Sequence, residues 1–305
     1  MTVGSISPTS PFLDLPDGFE ARDTAAVCIL PVPYDATSSY QSGARFGPAA
    51  LIAASHQVEL YDEQLRRETY RIGLHTCPSV RPNAAGPLEM VSDVRQACEP
   101  LLEAGKFIAL IGGEHTVTLG AVGALRQKRG RRAFGVVQFD AHRDLRTAYD
   151  STPWSHACVA ARLLDWKLPL IQLGVRAWSR EEEELAASAG VATFTARDLV
   201  VGDRAKEFAH ALEALPEEVY LTFDLDVLDP SIMPSTGTPE PGGLSWYQTL
   251  ALLEELTRRK KVIALDLVEL APLAGLVAPD LLAARLLYRT LGLIARDWPT
   301  LPREL

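Results

Sequence analysis

Apolar residues follow two alternating patterns along the chain. The first is a short, nearly continuous apolar run, which is typical of a central strand covered on both faces. The second is a longer stretch with apolar residues three and four positions apart, which is typical of a helix with one buried stripe. The short runs predict strands over residues 25–32, 106–113, 133–140, 168–175, 218–226 and 261–270. The longer stretches predict helices over residues 89–104, 115–129, 181–189, 205–214, 245–258 and 278–295.

This alternation predicts an α/β fold, a three-layer α/β/α sandwich with a central, mostly parallel sheet. No linker, low-complexity segment or internal repeat divides the chain. We therefore predict a single domain over residues 1–305, in which residues 1–24, rich in proline, serine and glycine, form an extended N-terminal arm.

Composition and charge narrow the classes of function. Hydrophobic residues make up 47% and charged residues 23% of the 305 residues, as in ordinary soluble globular proteins. The formal net charge of -9 disfavours a nucleic-acid or membrane partner and is compatible with a cationic small-molecule substrate. The chain shows no signal-peptide pattern and no apolar run of membrane-spanning length. The four cysteines form no CxxC pair, which favours free thiols and a cytoplasmic location.

Acidic residues and histidines cluster where the predicted strands end. The segment FDAHRDLR has Asp140, His142 and Asp144 at every second position, and FDLDVLDP has Asp224 and Asp226. Along an extended chain, alternate residues point to the same side. In open α/β sheets the binding crevice lies beyond the carboxyl ends of the strands. We therefore expect these five side chains to converge there.

A sixth residue, His115 in IGGEHT, follows another predicted strand. Alone, an Asp-x-Asp after a strand is usually a turn or a helix cap, and a lone histidine is usually a core residue. Four carboxylates with two imidazoles form an oxygen-rich donor set that suits Mn²⁺. One divalent ion leaves four carboxylates net negative, whereas two ions balance them. The joint pattern predicts two metals, about 3.5–4 Å apart.

The same segments resemble a known family. IGGEHT, FDAHRDLR and TFDLDVLDPSIMPSTGTPEPGGLS are similar to signature blocks of the ureohydrolases, which include arginases and agmatinases. LPVPYDATSSYQSGARFGPAALIAAS and DLVELAP extend the resemblance over residues 25 to about 295. It implies an arginase-like fold, two manganese ions per subunit and a homo-oligomer, either a trimer or a hexamer.

The resemblance divides the six residues into two overlapping ligand sets. One manganese ion is assigned to His115, Asp140, Asp144 and Asp224. The other is assigned to Asp140, His142, Asp224 and Asp226. The two shared aspartates then bridge the ions together with a hydroxide. This hydroxide attacks the guanidinium carbon of the substrate, and the products are urea and a primary amine.

Further roles also come from the resemblance. Asp144 is expected to pass the proton of the hydroxide toward the leaving amine, and His156 to act as a proton shuttle, because an imidazole titrates near neutrality. Glu269 is expected to pair with the substrate guanidinium through two parallel hydrogen bonds. Thr238 is expected to contact the substrate. The alternatives are a loop histidine and a surface acid without these roles.

The substrate is the least determined part of this prediction. The GTPEPGG and GARFGP segments resemble agmatinases more than arginases, which predicts cleavage of agmatine to putrescine and urea. Arg146 stands where arginases carry an asparagine, which argues against arginine recognition of that type, and a free guanidinium facing the substrate tail would favour a carboxylate such as that of 4-guanidinobutyrate. The alternative substrates are 4-guanidinobutyrate, 3-guanidinopropionate and arginine. We expect Arg146 to form a structural ion pair. We expect Arg143 to point outward, because a cation beside two metals is unfavourable without acidic partners.

Two other classes share this fold. A zinc deacetylase-like amidohydrolase usually keeps one metal site, and a non-catalytic relative typically loses a ligand or one of the residues His156 and Glu269. The complete set in this chain argues against both classes.

Overall fold

Eight strands form the central sheet of the protein. The computed structural model describes residues 5–6, 10–202 and 204–301. The strands are β1 (Val27–Val32), β2 (Leu74–Thr76), β3 (Phe107–Gly112), β4 (Gly135–Phe139), β5 (Leu170–Val175), β6 (Ala192–Thr195), β7 (Glu218–Asp224) and β8 (Lys261–Val268). Six of them correspond to the six predicted runs. The other two, β2 and β6, are short edge strands that the apolar pattern does not predict.

The sheet order is β6-β5-β4-β7-β8-β3-β1-β2, and every neighbouring pair is parallel. The predicted parallel sheet is therefore confirmed. Two small antiparallel pairs lie outside it, Ser5–Ile6 with Ser79–Val80 and Tyr61–Asp62 with Arg67–Glu68.

Helices connect the strands. They are α1 (Gly47–Ser55), α2 (Pro87–Glu103), α3 (Thr118–Arg129), α4 (Val159–Asp165), α5 (Arg180–Ala189), α6 (Ala196–Val200), α7 (Ala205–Ala214), α8 (Trp246–Arg259) and α9 (Ala278–Ile294). Short 3-10 turns cover Ala44–Phe46, Thr69–Ile72, His115–Val117, His156–Cys158 and Leu225–Val227. The helix predicted from residue 115 thus begins at Thr118, after a 3-10 turn that contains His115.

The helices cover both faces of the sheet. Ile108 and Leu110 of β3 pack in one core with side chains of α2, α3 and α4, whereas Ala109 and Ile111 pack in a second core with side chains of α1, α8 and α9. This alternation confirms the three-layer sandwich. In the described part of the chain, no helix is long and apolar enough to cross a membrane. All four cysteines are buried free thiols.

The N-terminal arm is fastened to the sandwich. Residues 10–24 contain no helix or strand, and Phe12 and Leu13 within them are fully buried. The amide of Leu13 donates a hydrogen bond to Ser55 Oγ at 2.7 Å. Residues 1–4 and 7–9 of the predicted arm lie outside the described residues.

The topology brings four strand ends to one place. In the centre of the sheet, β4, β7, β8 and β3 are consecutive neighbours. Because they are parallel, their carboxyl ends share one edge of the sheet. Asp140 follows β4, Asp224 ends β7, Glu269 follows β8 and His115 comes three residues after β3. After β4 the chain continues to β5 on one side of β4, whereas β7 lies on the other side of β4. The strand order therefore reverses at this point, and open α/β sheets form a binding crevice at such switch points.

Candidate metal centre

A buried cluster of imidazole and carboxylate groups lies at this edge of the sheet. His115 Nδ1 is 3.1 Å from Asp140 Oδ2, 3.0 Å from Asp144 Oδ2 and 3.5 Å from Asp224 Oδ2. All four residues are buried. The imidazole thus faces three carboxylates through one nitrogen.

The second histidine of the cluster shares one of these carboxylates. His142 Nδ1 is 2.9 Å from Asp226 Oδ2 and 3.6 Å from Asp140 Oδ1. Two groups of potential ligand atoms within 4.8 Å of one another result, and Asp140 is common to both. They are His115, Asp140 and Asp144, and Asp140, His142 and Asp226. Asp224 belongs to neither group.

Tight turns, rather than extended chain, bring these side chains together. Asp224 ends β7, but Asp226 lies in a 3-10 turn whose first amides are capped by the preceding carboxylate, with Asp226 N–H donating to Asp224 Oδ1 at 2.8 Å. His142 N–H likewise donates to Asp140 Oδ1 at 2.6 Å. Asp144 has a left-handed backbone with φ of 52°. The expectation of alternate residues on an extended chain is therefore wrong, although the same residues converge.

A hydrogen-bonded chain behind the cluster orients His115. His115 Nε2 is 2.8 Å from Thr222 Oγ1, and the hydroxyl of Thr222 donates to Asp266 Oδ1 at 2.7 Å. Because Thr222 has given its only proton to Asp266, its oxygen accepts from Nε2–H. The tautomer that results leaves a lone pair on Nδ1. We call Asp266, Thr222 and His115 the deep relay.

The deep relay supplies a test of whether a metal fits. His115 Nδ1 is buried and has no hydrogen-bond partner among the described residues, although three carboxylates surround it. An unpartnered buried nitrogen lone pair among carboxylates is unfavourable unless a cation lies between them. A histidine held from behind by a hydrogen-bond acceptor is the usual arrangement of an imidazole metal ligand. The residues therefore fit a divalent metal ion.

The charges in the cluster favour the same conclusion. Burial, reinforced by the charge of Asp140, raises the pKa of Asp144 to about 7. Burial also raises the pKa of Asp224 well above its ordinary value, with further contributions from Asp226 and Asp140. These shifts show how unfavourable the gathered negative charges are without cations.

Asp266 was not among the residues predicted from the sequence. It lies in the middle of β8, is fully buried, and also accepts a hydrogen bond from Tyr220 OH at 2.6 Å. The sequence contains a signal for it, since a carboxylate within the apolar run VIALDLV must find partners when it is buried.

A cavity of about 290 Å³ opens from the cluster to the surface. Its lining includes the predicted residues His115, His142, Asp144, His156, Asp224, Asp226, Thr238 and Glu269. Asp140 lies behind them and is fully buried. A larger cavity of about 670 Å³ lies near α2 and α3, but no carboxylate or imidazole lines it.

Glu269 is fixed beside the cluster. Its Oε1 accepts a hydrogen bond from His115 N–H at 2.7 Å, and its own amide donates to the carbonyl of Gly113 at 2.8 Å. Its backbone is left-handed, with φ of 66°. Such a conformation costs about 1–3 kcal/mol for a residue other than glycine and is found most often at functional sites. Asp144 shares this feature, so both residues are held in strained conformations around the cavity.

His156 lies on the other side of the cavity, in a 3-10 turn. Its Nε2 is 3.4 Å from Ser39 Oγ, and its ring meets that of Tyr149 edge-on at 5.9 Å. Burial, together with the imidazoles of His115 and His142, lowers the pKa of His156 to about 4. The imidazole is therefore neutral at pH 7 and can accept a proton.

The two arginines near the metal motif do not lie as predicted. Arg143 is buried, donates to Glu183 Oε2 at 2.7 Å, and lies 4.8 Å from the centre of the Trp178 ring. Its guanidinium is therefore paired with Glu183 in the protein interior, and it does not point outward to solvent. Arg146 is exposed, lines the cavity and lies 5.1 Å from the centre of the Tyr149 ring. Among the described residues Arg146 has no ion pair. The arginine of this segment that forms one is Arg143.

Comparisons with known proteins agree with this geometry. The family model described as "Arginase family" matches residues 25–292. An N(1)-aminopropylagmatine ureohydrolase of Synechocystis sp. is 40% identical over 88% of this chain and 89% of its own length. An agmatinase of Pyrococcus horikoshii is 33% identical over 97% of this chain and 99% of its own. The crystal structure of an agmatine ureohydrolase of Thermoplasma volcanium is similar with a TM-score of 0.83 and 28% identity, covering 92% and 94% of the two chains.

Proposed function

The chain belongs to the arginase family, and on this premise we propose that it is a two-manganese hydrolase that releases urea from agmatine or a close derivative. The observation that carries the proposal is the cavity in which Glu269 faces the carboxylate–imidazole cluster. The arrangement can hold a guanidinium group beside metal ions and leaves room for the rest of the substrate.

The metal ligands we propose are the six residues of the cluster. One ion is held by His115, Asp140, Asp144 and Asp224, and the other by Asp140, His142, Asp224 and Asp226. Support comes from the two groups of ligand atoms that share Asp140 and from the lone pair on His115 Nδ1. When bound, two divalent ions supply the positive charge that lowers the pKa of water and makes it a nucleophile at neutral pH.

The substrate guanidinium is oriented by Glu269. Its carboxylate is held by the amide of His115, so its direction does not depend on the substrate. A planar guanidinium can donate two parallel hydrogen bonds to such a group, and this brings its carbon toward the cluster. Thr238, which also lines the cavity, is proposed as a further substrate contact.

Protons move along two side chains. Asp144 accepts the proton of the attacking water at a carboxylate oxygen and passes it toward the nitrogen that leaves. The water oxygen bonds to the guanidinium carbon and becomes the carbonyl oxygen of urea. His156, neutral at pH 7, accepts the second proton of this water at Nε2 and returns it to the leaving amine. The carbon–nitrogen bond breaks, and the products are urea and an amine.

Two substrates fit the class. Agmatine is favoured by the GTPEPGG and GARFGP segments. Its N1-aminopropyl derivative is favoured by the 40% identity to the Synechocystis enzyme. Glu240 lines the cavity, its carbonyl accepts a hydrogen bond from Arg176 Nη2 at 2.8 Å, and its negative charge interacts with that guanidinium. A second ammonium on the substrate tail would find an acidic partner there.

The test is urea release by manganese-loaded protein from agmatine, N1-aminopropylagmatine, arginine, 4-guanidinobutyrate and 3-guanidinopropionate. We expect kcat/KM for the two amine-tailed substrates to exceed that for the acid-tailed ones by at least about 100-fold, since like charges in a cavity repel strongly. Preference for an acid-tailed substrate would refute the proposed substrate class, while the proposed release of urea from a guanidinium would still hold. No urea from any of them, with two ions bound, would refute the proposed function.

A further inference from the structure

A loop that follows β1 places Thr37 beside His156, a residue that lines the cavity. There it meets Glu114, a fully buried glutamate next to His115 in the sequence. Both donors of Thr37 bind this carboxylate, since its amide donates to Oε2 at 2.6 Å and its hydroxyl donates to Oε1 at 2.7 Å. The position of Thr37 is thus determined by a buried acid.

Thr37 in turn meets His156 twice. The amide of His156 donates to Thr37 Oγ1 at 3.0 Å, and the ring nitrogen Nδ1 lies 3.3 Å from the same oxygen. Because the hydroxyl proton of Thr37 is given to Glu114, its oxygen can only accept. A hydrogen bond between this oxygen and Nδ1 therefore requires the ring proton on Nδ1. Ser155 Oγ, 3.2 Å from Nδ1, is a second group that can accept it.

We propose that Glu114 and Thr37 are positioning residues for His156, and that they hold the tautomer in which the Nε2 lone pair faces the cavity. We call Glu114, Thr37 and His156 the rim relay. This inference rests on the proposed function only in the step where His156 transfers a proton. The tautomer itself follows from the hydrogen bonds.

The orientation matters because Nε2 is the ring nitrogen beside Ser39, a residue that lines the cavity. It lies near Ser39 Oγ, whose hydroxyl can donate to it. A proton is accepted at Nε2 and returned from the same atom to the leaving amine, so the ring need not flip between the two events. The opposite tautomer would present a proton at Nε2 before the reaction begins and could not accept one.

A purely structural role for the loop makes different predictions. Glu114 also anchors the loop through its amide, which donates to the carbonyl of Tyr34 at 2.7 Å. Loss of the loop would change stability and metal binding together with rate. Loss of the relay alone would change the rate only through His156.

The variant Thr37→Val keeps the shape of the side chain and removes its hydroxyl. We expect kcat to fall about tenfold, as for loss of one hydrogen bond that orients an acid–base group, with two manganese ions still bound. Thr37→Ser should restore most of the rate, because it restores the hydroxyl. Ser38→Ala is the matched control in the same loop, because the Ser38 hydroxyl has no hydrogen-bond partner among the described residues.

A double-mutant cycle with His156→Ala separates the two roles. We expect Thr37→Val to cost less than about twofold when His156 is already alanine, because its effect acts through that ring. The same tenfold loss in both backgrounds, or loss of manganese in Thr37→Val, would overturn the proposal.

A second measurement does not need activity. The side-chain ¹⁵N spectrum of the full-length protein loaded with Zn²⁺, which is diamagnetic, reports the tautomer, and His156→Ala assigns the signal. The Nδ1–H form in the original protein and a mixture of tautomers in Thr37→Val are expected. The Nε2–H form in the original protein would refute the rim relay even if no guanidine is cleaved, so its failure is distinguishable from failure of the proposed function.

Discussion

The deep relay and the rim relay consist of the same three groups, a buried carboxylate, a threonine and a histidine. In the deep relay, Thr222 accepts from Nε2 of His115, and the lone pair on Nδ1 faces the carboxylate cluster. In the rim relay, Thr37 accepts from Nδ1 of His156, and the lone pair on Nε2 faces the cavity. The choice of ring nitrogen thus separates a ligand from a proton acceptor.

The relays also differ in the rigidity of the elements that hold them. Thr222 and Asp266 are paired residues of the adjacent strands β7 and β8 in the centre of the sheet. Thr37 lies in a loop, and His156 is only partly buried. A metal ligand must keep its geometry, whereas a group that moves protons must remain accessible to substrate. The difference predicts which variants lose metal and which lose only rate.

The largest effect is expected from removal of a shared metal ligand. Asp140→Ala removes the carboxylate common to both groups of ligand atoms. We expect loss of bound manganese, measured by atomic absorption, and a fall in urea release of at least about 10³-fold. His156→Ala should keep both ions and lose rate, and Glu103→Ala, at an exposed position, should change neither.

Loss of metal is also expected when Asp224 is replaced. Its Oδ2 is 3.5 Å from His115 Nδ1, but it belongs to neither group of ligand atoms in the described structure. We propose that it bridges the ions, so Asp224→Ala should lose metal as Asp140→Ala does. Normal affinity for both ions in Asp224→Ala would show that the bridging assignment is wrong.

A smaller effect is expected behind the cluster. Thr222→Val leaves His115 without its acceptor and Asp266 without one of its donors. Groups behind a metal ligand typically change metal affinity by about 10–100-fold. We expect a loss of this size in manganese titrations followed by calorimetry, and recovery in Thr222→Ser. Unchanged affinity in Thr222→Val would mean that the deep relay does not set the tautomer.

The sequence predicts the centre of the fold better than its edges. The six central runs are nearly continuous in apolar residues, because each strand is covered on both faces. The edge strands β2 and β6 have three and four residues and lack this pattern. Short edge strands form through hydrogen bonds to a neighbouring strand that is distant in sequence, so the local pattern of apolar residues does not predict them.

The site shows the same division. The clustering of acids and histidines can be predicted from the motifs, because these residues follow predicted parallel strands, whose carboxyl ends lie at one edge of the sheet. The relays are not visible, since Thr37, Thr222 and Asp266 come from three distant segments and lie beside the histidines only after folding. The positions of Arg143 and Arg146 depend on Glu183 and Tyr149, which local pattern does not link to them.

The smallest effect concerns the mouth of the cavity. Arg146 is exposed, lines the cavity and lies over the Tyr149 ring, so its guanidinium can meet the tail of a substrate bound as proposed. Repulsion from an exposed cation is screened by solvent, so we expect Arg146→Ala to lower KM for agmatine by about two- to fivefold and to leave kcat unchanged. Arg146→Lys keeps the charge and should behave like the original protein. The effect should shrink in 0.5 M salt, in contrast to the effects of the relays, because buried groups are screened much less. A rise in KM for agmatine would mean that Arg146 helps to bind the substrate, and a rise for 4-guanidinobutyrate alone would identify it as a partner for acidic tails.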